Sequence, residues 1–209
     1  MANLNAPSGF APVMYRDGSP WNGQGRLYCI AAANTNALYV GDPVKMDVTN
    51  AADANGVGCI TIGTAGSTVR GVIVAIGLTV SGTLQGGAYV NPNNLAMTYR
   101  PSGAQAQNYY ALVVDDPAVI FEIQESTTST PGPAAAMLKN ANFIVAAPAT
   151  GVYLSGTQLN SNTYADTSTL NCKVIGAVQR MDNVPYTAYQ KLLVTLNNHD
   201  FSTGTVGYA

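Results

Sequence analysis

Short apolar runs, each cut off by Gly, Pro, Asn or Asp before a long helix could form, recur along this chain and limit what it can fold into. Segments 27–32, 37–40, 43–48, 58–63, 68–76 and 88–90 are rich in Val, Ile and Tyr. Between them lie Asn34-Thr35-Asn36, Gly41-Asp42, Asp53-Ala54-Asn55-Gly56, Gly63-Thr64-Ala65-Gly66 and Gly86-Gly87. β-Branched and aromatic side chains fit a pleated, half-buried surface, and Gly, Asn and Asp supply the turns, so the runs read as strands. Their regular short spacing predicts a sandwich or a barrel.

The runs 109–116 and 118–125 look like the central strands. In the second, Val119, Phe121 and Ile123 alternate with Glu122 and Gln124, which predicts one face toward a core and the other toward water or a partner. Further strands are expected at 142–146, 152–154, 171–180 and 188–196. Only 133–140, with Pro133 at its start and Lys139-Asn140 at its end, has the composition of a helical turn or two. Segment 126–133 reads as a Ser/Thr/Pro/Gly loop and 202–209 as a flexible tail. Leu38-Tyr39-Val40-Gly41 and Val152-Tyr153-Leu154-Ser155-Gly156 are alike, but too briefly to define a repeat. The expected fold class is all-β, a jelly roll or related β-sandwich or barrel, forming a single body over 27–209.

Residues 1–26 are different. Pro7, Gly9, Pro12, Gly18, Pro20, Gly23 and Gly25 exclude a helix and leave little room for paired strand, so the segment is expected to be an extended arm. The arm also carries Phe10, Tyr15 and Trp21, anchor-type aromatics that a disordered tail lacks. These three are the candidate partner-binding residues. Two placements are open: docking on a partner, or packing back on the chain's own domain.

Composition narrows the function. A chain of 209 residues can bury a real core without a metal or disulfide. Charged residues make up 10%, against about 25% in ordinary soluble domains. The surface is therefore mainly neutral and polar, which suits extensive contact with other protein. Nine basic residues scattered against eleven acidic ones build neither a phosphate-binding stripe nor a basic amphipathic helix, so nucleic acid and membrane are not expected partners. The N-terminus lacks a basic region followed by an apolar one, and no stretch approaches ~18 apolar residues, so neither export by that route nor anchoring is expected. Cys29, Cys59 and Cys172 are odd in number and flanked by apolar residues; they read as small core residues of a protein folded in a reducing cytoplasm.

Catalytic constellations are sparse. The one histidine, His199, sits in Asn197-Asn198-His199-Asp200 and is expected at an exposed loop edge. Asp115-Asp116, with Glu122 and Glu125 nearby, could divide acid and base roles or bind Ca²⁺. A β-turn explains Asp115-Asp116-Pro117 without chemistry, since Asp caps turns and Pro fixes φ. No glycine motif has the form of a phosphate cradle. The expectation is a non-enzyme with no catalytic residues, no metal and no cofactor.

Three stretches carry a family likeness. Asn36-Ala37-Leu38-Tyr39-Val40-Gly41-Asp42-Pro43-Val44-Lys45 with Val69-Arg70-Gly71-Val72-Ile73-Val74-Ala75-Ile76-Gly77, the run from Val113 to Glu125, and the run from Lys191 to His199 resemble the decoration, or cement, proteins of tailed-bacteriophage capsids, as in short-tailed phages. The likeness touches about half of the chain. It implies a jelly-roll or related body on the capsid exterior, a homo-oligomer (dimer or trimer), with the major capsid protein as partner. Tail-fibre or adhesin proteins are one alternative. A carbohydrate-binding jelly roll is another, with Tyr109, Tyr110, Asp115 and Asp116 lining its cleft.

Overall fold

The computed structural model describes residues 3–78, 97–126, 132–149 and 151–202. The run expected at 88–90, the middle of loop 126–133 and all but the first residue of tail 202–209 lie outside the described residues. The chain is all-β, built from antiparallel sheets, and no helix of the described residues is long and apolar enough to cross a membrane.

One sheet runs β2 (Arg26–Ile30), β8 (Tyr109–Val114), β6 (Gly71–Leu78), β4 (Pro43–Met46), β5 (Ile60–Ile62). Its two outer strands meet again: Cys29 and Cys59 form a parallel bridge, with the Cys29 amide donating to the Gly58 carbonyl at 2.9 Å. The sheet thus closes into a small barrel, which removes the open edges that invite unwanted pairing. A bulge between Ile73 and Ala75, where β6 pairs with β8, supplies local twist. Tyr28, Ile30, Val44, Ile60, Ile73, Ile76, Ala111 and Val113 fill the interior with Leu38, which comes from the short antiparallel pair of β3 (Leu38–Tyr39) and β7 (Tyr99–Arg100).

The second sheet is open, in the order β1 (Ala11–Tyr15), β9 (Val119–Gln124), β14 (Lys191–Leu196), β13 (Cys172–Ala177), β10 (Asn140–Ala141). Val119, Phe121 and Ile123 pack with Val174, Leu192, Val194 and Leu196 in one core, which also takes Val69, Val72 and Val114 from beside and within the barrel strands. This shared core joins sheet to barrel. The expected alternation in β9 holds on that face. Glu122 faces outward, but Gln124 is buried, because its side chain donates to Leu4 O at 2.7 Å and accepts from the Ala6 amide at 3.1 Å. The face expected to meet water or a partner is thus partly covered by the chain's own N-terminal segment.

That segment departs from the expected arm. Ala11–Tyr15 pairs with β9 as an edge strand, where proline is tolerated because an outward N–H has no ladder partner to lose. The Tyr15 amide donates to Ser19 O and the Trp21 amide to Val13 O, folding 15–21 back on the strand. Gly9 (φ +71°) and Gly41 (φ +94°) lie against each other, and a Cβ on Gly9 would collide with Gly41 O and Ser155 Cβ. The chain crosses there because neither residue has a side chain. In the region expected to be helical, Ala134–Ala136 forms one 3₁₀ turn, and Asn140 already begins β10. The run expected at 152–154 contributes a bridge at Leu154.

Candidate functional site

The residues with most chemistry gather at one corner, where β2 begins, β8 turns into β9 and the chain leaves β14. Asp115, nearly buried, accepts from the Tyr28 hydroxyl at 2.7 Å and pairs with Arg26 at 3.3 Å. Burial and this bond push the Tyr28 phenol up to about 12. Asp116 serves the turn: its Oδ1 accepts from the Ala118 amide at 2.8 Å, and its carbonyl from the Val119 amide at 3.1 Å. The two carboxyls therefore work separately, one bracing the barrel mouth and one closing the turn. A cleft of about 260 Å³ beside them is lined by Tyr15, Arg26, Val114, Asp115, Asp116 and Val119, among others.

Beneath Arg26 the C-terminal segment folds in. Val69 and His199 form a parallel bridge, and the Asp200 amide donates to Val69 O at 3.0 Å. Arg70 pairs with Asp200 at 2.9 Å and lies 4.2 Å above the Phe201 ring, with Arg26 5.6 Å from that ring. His199, expected to be exposed, is 2% exposed. The bridge to Val69 pins its backbone. Its Nδ1 accepts from the Phe201 amide at 3.0 Å, which places any neutral-state proton on Nε2. Burial pushes the imidazole below its ordinary value and the Arg70 charge adds to this, against the opposing pull of Asp200 and Asp115. Among the described residues no group of His, Cys, Asp and Glu could hold a metal ion.

Of the three partner-binding candidates, the structure buries Phe10. Its ring is edge-on to Phe121 at 6.0 Å and to Phe143 at 5.9 Å, and it is 2% exposed, so it is not available to a partner. An aromatic at that point fills the gap between β1 and the shared core. Tyr15 is half-buried, with its hydroxyl donating to Asn22 Oδ1 at 3.0 Å. Trp21, also half-buried, donates from Nε1 to Gln24 O at 3.2 Å. The residues proposed for a sugar cleft are not brought together. Tyr109 and Tyr110 begin β8 while Asp115 and Asp116 follow its end, and the Tyr110 hydroxyl is held by Asp53 at 2.6 Å.

Sequence reasoning missed a second site. Tyr39, Tyr99 and Tyr153 stack in a row, with centroids 5.5 Å and 4.9 Å apart and interplanar angles of 10° and 15°. The outermost, Tyr153, is 53% exposed, and Val152 and Leu154 beside it are also exposed. Next to the stack runs a groove of about 410 Å³ lined by Ala11, Pro12, Trp21, Val40, Val74 and Leu154, among others, none of them charged. The signal was in the two similar stretches. Val40 and Leu154 form a parallel bridge, and the Ser155 amide donates to Val40 O at 2.9 Å, so the stretches lie side by side.

Buried Asp42 clamps them together. Its carboxyl accepts from the Ser155 hydroxyl at 2.5 Å, the Thr157 hydroxyl at 3.2 Å and the Tyr39 amide at 2.8 Å. Burial outweighs these bonds and pushes the carboxyl up to about 6. Comparison with protein-family models, with curated proteins and with solved structures finds no match.

Proposed function

We propose that this chain is a structural protein that binds the outside of a tailed-phage capsid lattice and bridges neighbouring capsid subunits, acting as a small homo-oligomer and without catalysis. The observation that carries the reading is the stacked row of Tyr39, Tyr99 and Tyr153 with the groove beside it, whose lining carries no charge. Tyrosine and tryptophan provide large contact area at low entropic cost, and such residues anchor protein interfaces. A face without charge suits a protein surface and offers nothing to phosphate. Three further facts support the same reading. The carboxylate that a hydrolase would use, Asp115, is engaged by Tyr28 and Arg26, and Asp116 is engaged by the Ala118 amide in the turn. Charge is scarce along the chain. The stretches that resemble capsid decoration proteins include the Tyr39 strand and the Asp42 clamp.

Mechanistically, a protein that binds the expanded lattice and not its precursor stabilises the expanded form by mass action. Many identical copies turn a modest contact into a strong total. Co-sedimentation with expanded capsids lacking the protein tests this. Saturation at a fixed ratio to capsid subunits is the expected result, and no pelleting above the level of an unrelated β-protein would overturn the reading.

A further inference from the structure

The seam that closes the barrel brings two thiols together. Cys29 of β2 and Cys59, just ahead of β5, are bridge partners. Neighbouring strands place their chains about 5 Å apart, inside the ~4.4–6.8 Å between Cα atoms that a disulfide spans. The two side chains also share one buried cluster, so they lie on the same side of the seam. They sit in their own small cluster with Ala31 and Tyr110, and both are reduced and at most 1% exposed. Cys172 lies in β13 within the other core and takes no part. Burial pushes both seam thiols above their ordinary range. The closed barrel therefore holds little of the thiolate that exchange requires, and the reaction proceeds while the seam forms or opens.

We propose that Cys29 and Cys59 are a redox latch, two thiols in a reducing compartment and one disulfide across the barrel seam in an oxidising one. With glutathione disulfide as oxidant, the thiolate of one cysteine attacks a glutathione sulfur, forming a mixed disulfide and releasing one reduced glutathione. The second thiolate then attacks the protein sulfur of that mixed disulfide and releases the other glutathione. The two thiol protons end on the two glutathione thiols, the cysteine pair is oxidised by two electrons and the oxidant is reduced by two. The bond turns a seam held by backbone hydrogen bonds into a covalent closure around residues 29–59. The latch is independent of the assembly reading above.

The test is to refold the full-length protein, fully reduced and unfolded at the start, in buffers of fixed oxidised-to-reduced glutathione ratio. Free thiols are then alkylated and unreduced peptides mapped by mass spectrometry. The expected result is a linked Cys29–Cys59 peptide as the main oxidised species, Cys172 alkylated, and a Tm several degrees above the reduced protein that reverts with reductant. Cys59→Ser should abolish that Tm difference, and Cys172→Ser should retain it. Both seam cysteines alkylated after refolding in the oxidising buffer, either left as a stable glutathione adduct, or either joined to Cys172 would overturn the proposal.

Discussion

The barrel and the open sheet bury comparable strands but close them differently. The barrel is sealed on itself, its interior is mainly aliphatic, and the largest of the fully buried side chains packed at it is a polar one, Arg100. That side chain is 0% exposed and donates to the carbonyls of Asn34, Asn36 (2.7 Å), Pro101 (3.0 Å) and Gly103 (3.2 Å). With no carboxylate among these acceptors, the guanidinium organises loops rather than forming an ion pair. The open sheet has edges, and it borrows the N-terminal segment to cover one of them. What the contrast teaches is that a segment rich in Gly and Pro can be part of a core when a strand elsewhere supplies its pairing.

Phe10→Ala gives the largest expected effect, because it empties the space between Phe121 and Phe143; a loss of about 3–5 kcal/mol is expected in urea unfolding. A loss below about 1 kcal/mol would restore the free-arm view of residues 1–26. Arg100→Met tests the barrel in the same way. It leaves the buried Asn34 carbonyl without its donor and removes one of the two side-chain donors to Gly103 O, and a loss of about 3 kcal/mol is expected.

The clamp between the two similar stretches makes a pH prediction. Asp42 holds its proton up to about 6 when folded, against 3.8 for a free aspartate side chain. The folded state thus binds the proton more tightly than the unfolded chain. The stability this adds is full below about pH 4 and is lost as pH rises through 6, by roughly 3 kcal/mol at most. Asp42→Asn should flatten that part of the stability profile, measured by urea midpoints from pH 4 to 7. An unchanged slope would remove Asp42 from the account. The smallest effect on stability belongs to Tyr153→Ala, within about 0.5 kcal/mol, because the ring is half in solvent.

Much of the barrel was legible in the chain. β2, β4, β5, β6 and β8 each carry their own apolar run, and β9, β13 and β14 do so in the sheet, so composition and alternation suffice. β1, β7 and β12 (Gln158–Leu159) were not legible, since each is short or broken by Pro and becomes a strand only through its partner. His199 reads as loop-edge by its Asn and Asp neighbours, and its burial depends on Val69, Arg70 and Phe201, which local pattern does not link to it. The tyrosine row was half visible. Tyr39 and Tyr153 sit in stretches that look alike, but Tyr99 lies between them in sequence with no apolar run of its own.

The most direct test of the central claim is the affinity of Tyr99→Ala/Tyr153→Ala for expanded capsids, measured beside the wild type on the same particles and with the Tm of both proteins recorded. At least a tenfold weaker association is expected, about 1.4 kcal/mol, at a nearly unchanged Tm. Wild-type affinity in the double variant would contradict it.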